Sequence, residues 1–183
     1  MVMGRSPTSP VDYRSRMRRV SGTAFIPSPP EEVYAYLAEP ANLPRWQEGV
    51  VSSIRTSPPP TVSGSTGRVV IEMMGQRVTA DTTIREAVQD RRLVIATKAS
   101  GMSVVGSLDL APKDGGTQIT FSSEVKAESI FMAPLEGVVA DIAEKNSEKS
   151  LDRLREALAA QSGAAAPPDE HEEREAGDQH EHP

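Results

Sequence analysis

The side chains that do most acid–base and nucleophilic chemistry near neutral pH are confined to one end of this sequence or missing from it. All three histidines, His171, His180 and His182, lie in the last stretch among Asp and Glu, and there is no cysteine. A thiolate nucleophile, a disulfide and a thiolate metal site are therefore excluded. The remaining chain lacks the residue most used for proton transfer at pH 7. The terminal histidines and acids match no closed structural metal spacing, so no metal and no cofactor is expected. Glu72, Asp81 and Glu124 alternate with apolar residues, which predicts a solvated face rather than paired catalytic carboxylates. What remains is a sparse polar set within an aliphatic background: Thr82, Thr97, Ser123 and Asn146, groups that could orient a ligand.

Such residues need a scaffold, and the middle of the chain supplies one with strand periodicity. Val20, Gly22, Ala24 and Ile26 predict a first strand. In PSPPEEVYAYLAEP, Ser28 is the expected N-cap, Pro29 and Pro30 suit the first turn, and Glu31 and Glu32 complement the helix dipole. Val33, Tyr36 and Leu37 make the stripe, Tyr34 falls on another side, and Pro40 ends the helix. A second short helix is expected around Ala41 to Gln47, with Leu43 and Trp46. Six strands follow in meander order, at approximately Val50–Thr56, Arg68–Met74, Gln76–Val88, Arg91–Ser100, Met102–Ala111 and Thr117–Ala127. Gly75-Gln76, Gln89-Asp90, Ser100-Gly101 and Asp114-Gly115-Gly116 separate them.

Alternation then assigns faces. Val69, Ile71 and Met73 share one side with Val78, Ala80, Thr82 and Ile84, with Leu93, Ile95, Thr97 and Ala99, and with Val104, Gly106, Leu108 and Leu110. Ile119, Phe121, Ser123 and Val125 complete it. Arg68, Glu72, Arg77, Asp81, Arg85, Lys98, Asp109, Glu124 and Lys126 fall on the other, so the sheet is wet on one side and packed on the other. The cover is a helix from Pro134 to about Ala160, about 40 Å long by helical rise. Its stripe runs through Leu135, Val138, Val139 and Ile142 and resumes at Leu151, Leu154 and Leu158.

At 183 residues the chain is a one-domain length. A net charge of −6 hides an uneven distribution. Arg5, Arg14, Arg16, Arg18 and Arg19 make a basic head, and an acidic, low-complexity tail follows residue 162. Residues 1–17 and 162–183 are expected to be disordered, leaving 18–161 as the domain. No basic stripe crosses that domain, so nucleic acid is not an expected partner. Ile130 to Ala143, the most apolar stretch, is broken by Pro134, Glu136 and Asp141 and is no membrane span. No secretory signal is visible, and a cytoplasmic protein, monomeric or weakly dimeric, is expected.

One strand, two short helices, six meander strands and a long helix is an order that resembles the START-like superfamily, also called SRPBCC or Bet v 1-like. "IPSPPEEVYAYLAEPANLPRWQEGV" (Ile26 to Val50) is similar to its opening, where a strand leads to Pro-x-x-x-Val, an acid-Pro pair and Leu-Pro-x-Trp. Gly116-Thr117 before "QITFSSEV" and the closing "LDRLREAL" resemble its last strand and helix. The resemblance implies an α+β helix-grip fold: a seven-stranded curved antiparallel sheet wrapped around a long C-terminal helix, with two short helices between strands 1 and 2. Members include lipid carriers, hormone receptors and polyketide aromatase/cyclases, and the bacterial ones most similar in style are labelled polyketide cyclase/dehydrase-like.

The function expected is binding of a small hydrophobic ligand (a lipid, polyketide or aromatic compound) as carrier or sensor, in a cavity of roughly 300–1,000 Å³. The candidate ligand-binding residues are Trp46, Ile71, Met73, Ala80, Thr82, Ile95, Thr97, Ala99, Val104, Gly106, Phe121, Ser123, Leu135, Val139, Ile142 and Asn146. Trp46 fits a core plug as well as a ligand stacker, and Met132 before the helix fits a gate. The alternatives are an aromatase/cyclase-type enzyme, which needs inward acids or bases, and an interaction module with a filled core.

Overall fold

A computed structural model describes residues 18–164, and both charged ends, 1–17 and 165–183, lie outside the described residues. Seven strands form one antiparallel sheet: β1 (Arg18–Ile26), β2 (Val50–Arg55), β3 (Thr66–Met73), β4 (Gln76–Val88), β5 (Arg92–Ala99), β6 (Met102–Lys113) and β7 (Gly116–Ala127). Their spatial order is β1-β7-β6-β5-β4-β3-β2. Helix α1 (Pro30–Ala38), a 3-10 turn at Pro40–Asn42 and α2 (Leu43–Trp46) lie between β1 and β2, and α3 (Ala133–Ala164) closes the described chain. The molecule has the helix-grip fold that the family resemblance implies.

The turns differ in detail from the sequence expectation. Met73 pairs with Gln76, so the β3–β4 turn is Met74-Gly75, not Gly75-Gln76. Both residues have positive φ, +50° and +73°. That is the mirror-image turn whose twist matches the flanking strands. Ser100-Gly101 and Asp114-Gly115 repeat it, and the second lets β6 and β7 run on to Lys113 and Gly116.

Helix α1 starts without the expected cap. Pro29 takes the N-cap position, with no side-chain cap bond, and Pro30 opens the helix. Neither proline has an N–H to satisfy, which lessens the need for a capping oxygen. Ser28 is instead buried, and its carbonyl accepts a 2.7 Å bond from the Thr117 hydroxyl. Both tyrosines are buried, Tyr34 as well as Tyr36, because α1 has core on two sides.

Helix α3 also departs from its predicted stripe. Leu135 and Val138 are about two fifths exposed, at 40% and 41%, and the buried line runs through Ala140, Ser150, Leu151, Leu154 and Leu158. Along this line the first half of the helix buries one small residue, Ala140, and the second half buries Ser150 and three leucines. Ser147 and Ser150 turn back onto the carbonyls of Ala143 and Asn146, at 2.6 and 2.7 Å. Helix α3 approaches β1, β7 and α2 most closely, and β3, β4 and β5 stand farther from it.

Candidate ligand cleft

Strand registers put the predicted inner-face residues on one side of the sheet. Across the strands run the pairs Ile71 with Val78, Thr82 with Thr97, Ile95 with Gly106, Thr97 with Val104 and Gly106 with Ser123. A period of two fixes which side chains face the helix, and one side is apolar enough to pin that register.

The interior beneath α3 is divided. One buried cluster joins Ile26, Val33, Tyr34, Tyr36, Leu37, Trp46, Leu93, Leu110 and Ile119 to Leu154 and Leu158. A second, at the other end, holds only Met102, Val125 and Ala140, flanked by Val104, Ala127, Met132 and Val139. Between them Ile71, Met73, Ile95, Thr97, Ala99, Gly106, Ser123, Ile142 and Asn146 all face inward or towards the sheet yet stay partly exposed. Inner-face residues under a covering helix keep solvent contact only if helix and sheet do not close on each other. This partly exposed stretch of the inner face, from β3 to β7 and interrupted by the buried Val69, Ala80 and Leu93, is the candidate ligand cleft.

The other candidate residues are placed as follows. Ala80 is buried at 1% exposure and Trp46 at 7%, the latter inside the larger cluster, so Trp46 is a core plug here. Its indole Nε1 is buried with no hydrogen-bond partner. The Phe121 ring lies over Gly22, where an added Cβ would meet it at 2.7 Å. Asn146 sits against the Gly49 backbone, its amide 3.7 Å from where a Cβ would stand. Nearby the Ser150 hydroxyl accepts from the Glu48 N–H and Arg153 pairs with Glu48 at 2.9 Å, a seam that ties α3 to the start of β2. Leu135 lies on the exposed side of α3, outside the cleft's packed walls.

At Gly106 an added Cβ would meet nothing closer than 3.9 Å, so the cleft floor has room there. Met132 packs against the β5–β6 turn, 3.2 Å from a Cβ built on Gly101. Beside it Ile130 and Phe131 are 73% and 88% exposed, and Met74, on the β3–β4 turn at the same end of the sheet, is 71% exposed. Neither Ile130 nor Phe131 is among the residues that the sequence pattern marks for a site. Their position in a loop directly before a helix start was the available signal.

Two further spaces adjoin the domain. A cavity of about 30 Å³ is lined by Pro40, Arg55, Thr61, Ser65, Thr66, Gly67, Thr82 and Ile84. A wider depression of about 460 Å³ lies outside the grip, between the start of α1 (Pro29, Pro30, Glu31) and the β6–β7 turn from Pro112 to Gly116. Among the described residues no cluster of His, Asp and Glu could hold a metal ion, and no helix is long and apolar enough to cross a membrane. Burial raises the pKa of Tyr34, helped by the negative charge of Asp90. It also raises that of Tyr36, with Arg45 pulling the other way. Both phenols stay protonated at neutral pH.

Fold and cleft define a helix-grip protein with an inner face partly open to solvent. The chain belongs to the family described as "Polyketide cyclase / dehydrase and lipid transport", which matches residues 17–159. No functionally curated protein matches. Among solved structures it is similar to a protein from Thermus thermophilus, with 22% identity, TM-score 0.67, and coverage of 79% of this chain and 99% of that one. It is similar to the Zhui aromatase/cyclase from Streptomyces sp. R1128 at 15% identity and TM-score 0.68, covering 80% of this chain and 96% of that one. A START superfamily protein from Mycobacterium smegmatis shows 14% identity, TM-score 0.65, and coverage of 78% of this chain and 98% of that one. At these identities the likeness concerns the fold. Family and fold are consistent with hydrophobic-ligand binding and with polyketide cyclase activity.

Proposed function

We propose that this protein holds a small hydrophobic ligand in the cleft between the sheet and α3, as a carrier or sensor. The observation that carries this reading is the divided core: an aliphatic inner face, correctly registered, that α3 leaves unsealed between its two buried clusters. Unsealed apolar surface is unfavourable in water at about 25 cal/mol per Å², and a ligand that covers it recovers that energy. Ile71, Met73, Ile95, Ala99, Val104 and Ile142 supply the apolar walls, and Thr82, Thr97 and Ser123 the sparse polar contacts.

Binding is favoured over cyclisation by the donor set. The polar groups facing the cleft, those of Thr82, Thr97, Ser123 and Asn146, are hydroxyls and an amide, none of which is a general base near neutral pH. The filled-scaffold alternative is disfavoured by the room at Gly106. The test is native mass spectrometry of full-length protein from its own host. The expected result is a mass excess, lost on denaturation, matching an apolar compound. Protein that carries no such compound, and takes up none when offered a host lipid extract, contradicts the proposal.

A further inference from the structure

One row across the sheet is unlike the rest of the inner face. Arg55 of β2 pairs with Gly67 of β3, Gly67 with Thr82 of β4, and Thr82 with Thr97 of β5. Among the residues whose register places them on the inner face of β2 to β7, Arg55 alone carries a charge. It faces inward because β2 has a register shift between Val50 and Ser52, which turns Ser53 and Arg55 to the side of Val50. Its side chain is only 18% exposed.

The surroundings are built for a polar group of limited size. Gly67 has no room for a side chain, since a Cβ would stand 2.8 Å from the Ile54 carbonyl and 2.9 Å from the Thr82 Oγ1. The absent side chain lets the Thr82 hydroxyl pack directly against the Gly67 backbone, beside Arg55 on the neighbouring strand. One guanidinium nitrogen donates to Thr61 Oγ1 at 2.7 Å and another to Glu39 at 3.1 Å. A guanidinium has five N–H donors, so donors remain beyond those two bonds. The Thr82 and Thr97 hydroxyls make no hydrogen bond among the described residues. Arg55, Thr82 and Gly67 also border the cavity of about 30 Å³. That is room enough for an oxygen-bearing end group or a water.

We propose that the row Arg55–Gly67–Thr82–Thr97 is the polar end of the cleft and receives the carboxylate of an amphiphilic carboxylic acid. This rests on the cleft reading above and adds the ligand's class. Arginine is suited to the role because it stays charged when buried and its fork matches two carboxylate oxygens. Glu39, whose side chain is 49% exposed at the rim, balances Arg55 only weakly through solvent. A ligand carboxylate displaces that contact at little loss.

The experiment titrates full-length protein, stripped of bound lipid, with dansyl-labelled undecanoic acid, with the corresponding primary alcohol, and with Nile red as an uncharged apolar probe. Wild type should bind the acid about tenfold or more tighter than the alcohol, the range expected of charge-assisted hydrogen bonds. Arg55→Met should abolish that preference while leaving alcohol and Nile red affinities within about twofold, since it keeps the apolar stem. Glu39→Gln should strengthen acid binding by removing the competing carboxylate. If Arg55 is merely a clamp on Glu39 and Thr61, Arg55→Met and Glu39→Gln weaken all three probes alike, and the proposal is overturned. Should Arg55→Met fail to fold, Glu39→Gln and the acid-to-alcohol ratio of wild type still decide. Equal binding of acid and alcohol by a wild type that takes up Nile red overturns this inference and leaves the cleft standing. A wild type that binds none of the probes overturns both.

Discussion

The two halves of α3 face different interiors. Leu154 and Leu158, in the second half, are sealed at 0% and 2% exposure within a cluster that includes Tyr34, Tyr36 and Trp46. The first half reaches a cluster of three residues through Ala140, while Leu135 and Val138 stay in solvent and Ile142 only partly leaves it. One half is packed as a core and holds the fold together. The other buries one small residue, Ala140, and leaves apolar surface open. Close packing is the rule in protein interiors, so a helix that stops short of it over half its length is consistent with a space kept for something else.

Truncation should expose this asymmetry first. Leu154→Ala removes a fully enclosed side chain and should cost about 2–5 kcal/mol, whereas Ile142→Ala, beside open space, should cost well under half of that. Urea denaturation of both variants measures it, and equal losses would mean that the interior is uniformly packed. Glycines give a second contrast of opposite sign. Gly67→Ala drives a Cβ to 2.8 Å from the Ile54 carbonyl and should destabilise by about 1–3 kcal/mol. Gly106→Ala meets nothing within 3.9 Å and should be neutral or stabilising by about 0.5–1 kcal/mol, because alanine loses less backbone entropy in a strand. A large loss at Gly106 would mean that the cleft floor is already packed.

The smallest expected effect is alkaline. Tyr34 and Tyr36 have pKa values raised above 10.0, chiefly by burial. The folded state therefore holds these protons more tightly than the unfolded chain. Their contribution is fully present below the ordinary tyrosine value and is lost as pH rises through it towards the folded values. Urea midpoints should fall above about pH 10, and fall less in a Tyr34→Phe, Tyr36→Phe double variant. An identical fall would place the titrating groups elsewhere.

Most of the fold was legible because the inner face keeps a period of two through most of β3 to β7, broken by one register shift after Ile84, so faces could be read before any pairing was known. The β3–β4 turn slipped by one residue because positive φ at Met74 is not a preference of methionine. Arg55 was missed for a definite reason. Simple alternation from Val50 sends it to the outer face, and only the irregularity at Val51 reverses β2 from there on. Nothing in VVSSIR announces that irregularity. The covering stripe of α3 was misplaced over its first turns because Leu135 and Val138 look like core by type, while the residues that pack there are Val139 and the smaller Ala140. A helix that leaves a gap uses small residues where a packed helix uses large ones, and hydrophobic pattern alone favours the large ones.

The most direct test of the open cleft is Nile red titration of lipid-stripped wild type, Gly106→Phe and, as an outer-face control, Val105→Phe. Saturable uptake by wild type and Val105→Phe is predicted, with uptake abolished in Gly106→Phe at a stability loss below the about 1–3 kcal/mol typical of overpacking a filled core. No uptake by wild type, together with severe destabilisation of Gly106→Phe, would mean that the space between sheet and helix is already filled and would contradict the account.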